Sequence, residues 1–174
     1  MRHVVFAAAA LFLLSGCGPS RDARETAASP PPAAATPAAA PVRTTDACGL
    51  VTKAEVEQIL GTAVGEPQSL PGASSADVSF TQCTFASPEG DKTLGVALRV
   101  SKKGDGQPEA ARQVMVSSGA KVEDVPGLAD AAFWAGMQLQ AFRGRHAQLV
   151  VTVLGFPNGK DAAVQVARKA LARL

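Results

Sequence analysis

An apolar run from Val4 to Leu14 ends in Ser15-Gly16-Cys17, and this junction divides the chain into a part that can fold and a part that cannot. Met1-Arg2-His3 gives the run a short basic start. The run is about half of the roughly 20 apolar residues that a membrane-crossing helix needs. Its length suits the hydrophobic region of an export signal, and the small Ser15 and Gly16 let the backbone ahead of Cys17 enter a peptidase cleft. From Gly18 to Asp46 the only large apolar side chain is Val42, and Pro30-Pro31-Pro32, Pro37 and Pro41 alternate with alanines. Proline removes backbone donors and favours extended chain, so this stretch has neither the hydrogen bonds nor the apolar area for a core. Residues 1–16 are therefore read as a signal segment, 17–46 as a tether, and 47–174 as one globular domain of ordinary size.

Leu14-Ser15-Gly16-Cys17 resembles the processing site of bacterial lipoproteins. That resemblance implies lipidation of Cys17 after cleavage, with two or three acyl chains on the new N-terminus. At about 0.8 kcal/mol per buried CH₂, two chains hold a protein on a membrane without appreciable dissociation. Gly18 follows the cysteine, in place of the aspartate that retains such proteins at the inner membrane. The expected location is the cell envelope, lipid-anchored at the outer membrane and facing the periplasm. The expected partners are that membrane and an envelope protein or glycan.

Cysteine parity agrees with this arrangement. The chain has three cysteines, and an odd thiol in an oxidising compartment is unusual. With Cys17 acylated, Cys48 and Cys83 remain as one pair. They lack the Cys-x-x-Cys spacing of redox or zinc sites, so a structural disulfide is expected. From Asp46 onward, Lys+Arg and Asp+Glu each number 13, and the whole-chain excess of two positive charges lies in the leader and tether. A domain with no net basic footprint is a poor nucleic-acid binder, and none is expected as a partner.

Three helices can be placed by their ends. Thr52-Lys53-Ala54-Glu55 is a capping box, Val56, Ile59 and Leu60 follow as an apolar face, and Gly61 suits a left-handed cap. Pro108 starts a second helix running to about Ser118. A third begins after Asn158, buries Val164, Ala167, Leu171 and Leu174, and puts Arg168, Lys169 and Arg173 at its C-terminal end. Strands are expected over 78–86, 94–100, 132–134, 138–142 and 148–154, with turns at Pro88-Glu89-Gly90-Asp91 and Arg143-Gly144-Arg145-His146. A hairpin followed by a helix occurs twice. The fold class is α+β, an antiparallel sheet from two hairpin-plus-helix halves with the helices packed on one face.

Cys48-Gly49-Leu50-Val51-Thr52-Lys53-Ala54-Glu55-Val56, with Leu60-Gly61, resembles the opening of a family of small envelope lipoproteins of unknown function, best known from actinobacteria. Cys83-Thr84-Phe85 is similar to the family's second cysteine beside an aromatic. Val125-Pro126-Gly127-Leu128-Ala129-Asp130-Ala131-Ala132-Phe133 is similar to its turn into a strand, with Ala129 where glycine is common. The likeness implies a Cys48–Cys83 pair and an α+β fold, and it carries no catalytic residues.

Candidate chemistry is sparse. His146 is the only histidine after the leader, so any Ser-His or Cys-His site must use it. Ser118-Gly119-Ala120-Lys121 matches Ser-x-x-Lys, but the serine ends a helix instead of starting one, and the accompanying motifs are missing. The carboxylate pairs Glu55/Glu57 and Glu123/Asp124 could serve as acid and base. Glu55, however, belongs to the capping box, and the adjacent Glu123 and Asp124 project apart near a turn, so solvated surface is expected. No metal-ligand cluster, glycine elbow or phosphate loop is present, and no cofactor is expected. Arg143, Arg145 and His146, with Lys102 and Lys103 at another strand end, form a possible anion-binding group. Phe133, Trp134 and Met137 either line an apolar pocket or belong to the core. The function expected is a non-enzymatic binding or scaffolding domain. The alternatives are an envelope hydrolase or wall-modifying enzyme with a scattered site, and a lipid carrier with a deep apolar cavity.

Overall fold

The structure is a computed structural model that describes residues 46–174, which lie in one compact unit. The signal segment, Cys17 and nearly all of the tether fall outside the described residues. A 3₁₀ turn at Ala47–Gly49 leads into α1 (Lys53–Leu60) and β1 (Gln68–Pro71). The chain then forms β2 (Val78–Ala86), β3 (Thr93–Ser101), α2 (Pro108–Ser117) and β4 (Val122–Asp124). It closes with β5 (Ala131–Ala135), β6 (Gln138–Arg143), β7 (Ala147–Leu154) and α3 (Gly159–Leu171). The seven strands make one open sheet of order β1-β2-β3-β7-β6-β5-β4, and every neighbouring pair is antiparallel. The mixed α+β class and the antiparallel sheet are as the sequence predicts.

All five predicted strands are present. The two edges, β1 and β4, with four and three residues, are not among them. Strands this short carry too few alternations to register as a pattern. Short edges also limit the row of free backbone groups that would otherwise template aggregation.

The sheet is centred on β3 and β7, where Leu94 faces Val153, Val96 faces Val151 and Leu98 faces Leu149. These side chains share one face, because alternate residues of a strand point the same way. They join Cys83 and Phe85 of β2, Leu139 and Ala141 of β6, Val56 of α1, and Ala163, Val166, Ala167 and Ala170 of α3 in the main core. Burying each Val, Leu or Phe contributes about 1.5–3 kcal/mol relative to leaving it exposed. A smaller cluster, Phe133, Ala135 and Phe142, packs with Ala111 and Met115 of α2. The β5 and β6 residues of this second cluster have the opposite strand parity from Ala132, Trp134, Leu139 and Ala141.

Local chemistry at the helix ends follows the sequence. Thr52 accepts from the Glu55 amide and the Glu55 carboxylate accepts from the Thr52 amide, while Gly61 caps α1 at φ 65°. At the end of β7, Gly155 has φ 78°, and a Cβ there would lie 2.5 Å from the Asp91 carbonyl oxygen. A left-handed conformation costs an L-residue about 1–2 kcal/mol. Gly155→Ala is accordingly expected to lower stability by at least about 1–2 kcal/mol in urea unfolding, because the facing atom is backbone and cannot rotate away. An unchanged midpoint would contradict this placement.

Candidate functional site

Two regions present side chains to solvent in an organised way. The first is the end of the sheet where β3 finishes and the β6–β7 turn lies. Here the structure brings Lys102, Lys103, Arg143, Arg145 and His146 to one end, as their strand positions imply. Four of these five side chains have a specific partner. The Arg143 guanidinium donates to the Leu171 carbonyl at 3.3 Å, at the C-terminus of α3, where positive charge is favoured. His146 Nδ1 lies 2.9 Å from the Ser101 carbonyl oxygen, and the Ser101 amide donates to the His146 carbonyl at 2.7 Å. Lys103 pairs with Asp77 at 2.6 Å, and Lys102 donates to the Ala76 carbonyl at 2.7 Å. Arg145 lines a shallow depression with Gly106, Gln107, Pro108, Glu109 and Ala110.

Acidic groups are committed to structure as well, Asp105 at this end and Glu123 and Asp124 on β4. Arg99 forms a two-pronged bond to Asp105 at 2.9 and 2.8 Å. The Arg99 guanidinium lowers the Asp105 carboxyl to about 2. Glu123 is held by Lys160 at 2.7 Å and Lys121 at 3.0 Å, which brings it to about 2. Asp124 pairs with Arg112. Ser118 caps the end of α2 and its hydroxyl donates to the Met115 carbonyl at 2.7 Å, while Lys121 pairs with Glu123. The Ser-x-x-Lys residues are therefore engaged separately.

Phe133, Trp134 and Met137 do not line one pocket. Phe133 is buried in the second cluster, Trp134 points to the opposite face against the main core, and Met137 is exposed in the β5–β6 turn.

The second region is the sheet surface opposite the main core. The main contacts of α2 with the sheet are to β4 and β5, and Met115 also reaches Gln138 of β6. On β2, β3 and β7, beyond those contacts, Phe80, Gln82, Thr84, Thr93, Gly95, Ala97, Val150, Thr152 and Leu154 line a half-open depression of about 360 Å³. Register fixes its shape. Gln82, Ala97 and Val150 stand in one cross-strand row, and Thr84, Gly95 and Thr152 in the next. Gly95 and Ala97, with no side chain and one methyl, make a floor along β3 between walls on β2 and β7. Neighbouring strands lie about 4.8 Å apart, so the walls are about 10 Å from each other. The volume is at the lower end of the roughly 300–1,000 Å³ typical of ligand pockets.

Sequence reasoning misses this trough. Strand 78–86 has a phenylalanine on each parity, Phe80 and Phe85, so alternation alone does not tell which face is buried. Bonding of Cys48 to Cys83 decides it, since Cys83 and Phe85 then point to the core and Phe80, Gln82 and Thr84 point away. A glycine inside an aliphatic strand is the other available signal, because such positions mark close approach of a ligand or another backbone.

Among the described residues no group of three or more His, Cys, Asp or Glu is placed to hold a metal ion. No family model matches the chain, and no curated protein matches it in sequence. Fold and surface together define a disulfide-closed α+β domain on an open antiparallel sheet.

Proposed function

We propose that the chain is a membrane-anchored envelope lipoprotein whose α+β domain binds or scaffolds a ligand without catalysing a reaction. The observation that carries the binding role is the trough along β3, a mostly apolar concave surface that carries the uncharged hydrogen-bonding groups of Gln82, Thr84, Thr93 and Thr152. The anchor is supported by Leu14-Ser15-Gly16-Cys17 and by the cysteine count. With Cys48 joined to Cys83, Cys17 is the one thiol left over. Gly18 after the cysteine favours the outer membrane, and the Pro/Ala-rich tether gives the domain reach from it.

Opposite parities of the two apolar clusters support α1 and α3 against one face and α2 against part of the other, instead of three helices on one face. In that arrangement the two hairpin-plus-helix halves meet at the β3–β7 pair, and α2 departs from the repeat. Its departure leaves the trough uncovered.

Metabolic labelling with a palmitate analogue tests the anchor. Label is expected on the exported protein and is lost in Cys17→Ser, which then leaves the membrane fraction. An unlabelled protein that retains Met1 would overturn it.

A further inference from the structure

We infer that the trough along β3 is a binding site for a neutral carbohydrate, an assignment that rests on the proposed binding role of the domain. Its lining has no ionisable side chain. Arg99, the cation of the same parity on β3, is already paired with Asp105. A phosphate, carboxylate or ammonium ligand would therefore enter without a counter-charge, whereas an uncharged ligand meets no such cost.

Backbone chemistry narrows the class further. β3 is hydrogen-bonded to β2 on one side and to β7 on the other, and β7 is paired to β6. The strands that form the trough spend their amides and carbonyls on each other, so an extended peptide gains no ladder there, as it would at an edge. What remains to a ligand is side chains: Gln82, Thr84, Thr93 and Thr152. Carboxamides and hydroxyls offer both donors and acceptors, which is the bonding pattern of a sugar hydroxyl. Phe80 at one end and Leu154 at the other supply apolar surface for the C–H face of a ring. Leu154 is 41% exposed, so that surface reaches solvent. With the axes of β2 and β7 about 10 Å apart, the space between their side chains takes one sugar ring across its width, with the chain of an oligosaccharide running along β3.

Gly95 is the element on which the shape depends. A Cβ at this position would have Thr152 Cβ at 3.8 Å, ordinary contact, so a side chain is sterically possible yet absent. A Cβ is accommodated there, and a branched residue would fill the floor between Thr84 and Thr152.

The test is an amide-shift titration of the full chain with two neutral probes, the β-linked tetrasaccharides of N-acetylglucosamine and of glucose. Shifts are expected on β2, β3 and β7 around Gln82, Gly95 and Thr152 with at least one probe. Gly95→Val should weaken that binding about tenfold or more, and Thr152→Ala about threefold, while Arg145→Ala leaves it unchanged. Absence of trough shifts at about 10 mM of both sugars overturns the assignment, as does binding indifferent to Gly95→Val and Thr152→Ala. Should Gly95→Val fail to fold, Gln82→Ala and Thr152→Ala decide the matter. If a peptide of residues 29–41 shifts the trough and the sugars do not, the carbohydrate assignment fails while the binding role of the domain stands. Palmitate labelling reports on the anchor independently of every one of these outcomes.

Discussion

Replacing Cys48 and Cys83 together by alanine is expected to remove about 3–4 kcal/mol of stability, the largest single loss argued for this domain. The two sulfurs are bonded across a sequence separation of 35. In the chain-entropy model the cross-link acts on the unfolded chain, which regains the freedom of a loop of that length once the bond is gone. Native geometry adds a second reason. Cys83 is fully buried on β2, and the turn that carries Cys48 is fixed to the same strand by the Ala47 amide donating to the Thr81 hydroxyl at 3.1 Å. Ala47, Leu50 and Val51 are buried beside it, so the bond holds the start of the domain against the centre of the sheet. A domain of this size loses about 3–5 °C in melting temperature per kcal/mol, hence about 10–20 °C for the double variant. Thermal and urea unfolding of the oxidised and double-alanine proteins measure it. A loss below about 1 kcal/mol would mean that the enclosed loop is already constrained without the bond.

Residues 47–86 show where sequence is informative and where it is not. The capping box at Thr52 and Glu55 is legible because both partners lie within one turn, and local hydrogen bonds depend only on local spacing. Strands 94–100 and 148–154 are legible because long aliphatic runs suit a buried centre. By contrast β1 and β4 are defined by their neighbours, as are the partners of Arg143 and His146. A basic turn read as an anion site finds a helix C-terminus and a strand carbonyl beside it, contacts that arise from the return of α3 and β3. The trough is likewise a product of register. Thr84, Gly95 and Thr152 are far apart in sequence and become one row only when β2, β3 and β7 pair.

Glu55→Ala is the second large effect, expected at about 2–3 kcal/mol, because one carboxylate serves the helix start and the chain end together. Its Oε2 accepts from the Thr52 amide at 3.0 Å and from Arg173 at 2.8 Å. Its Oε1 accepts from Arg173 at 2.8 Å and from Lys169 at 3.3 Å, and Arg173 also donates to the Leu50 carbonyl at 2.6 Å. The Glu55 side chain is only 19% exposed, so these bonds are less screened than those of a free surface pair. Truncation takes the carboxylate from Arg173, Lys169 and the Thr52 amide, leaves Arg173 only the Leu50 carbonyl, and loosens the end of α3 from α1. Arg173 above all, then the Thr52 amide, holds the Glu55 carboxyl far below its ordinary value of 4.5. A carboxylate lowered in the folded state binds fewer protons than in the unfolded chain, so its contribution is complete above that ordinary value and is lost as pH falls through the folded one. Asp105 and Glu123, each near 2, add the same sign over a narrower window, reduced by their exposure. Stability measured from pH 7 downward should therefore hold to about pH 5 and then fall, and the fall should be shallower in Glu55→Gln. Identical acid profiles for Glu55→Gln and the wild type would show that the carboxylate is not the tie between α1 and α3.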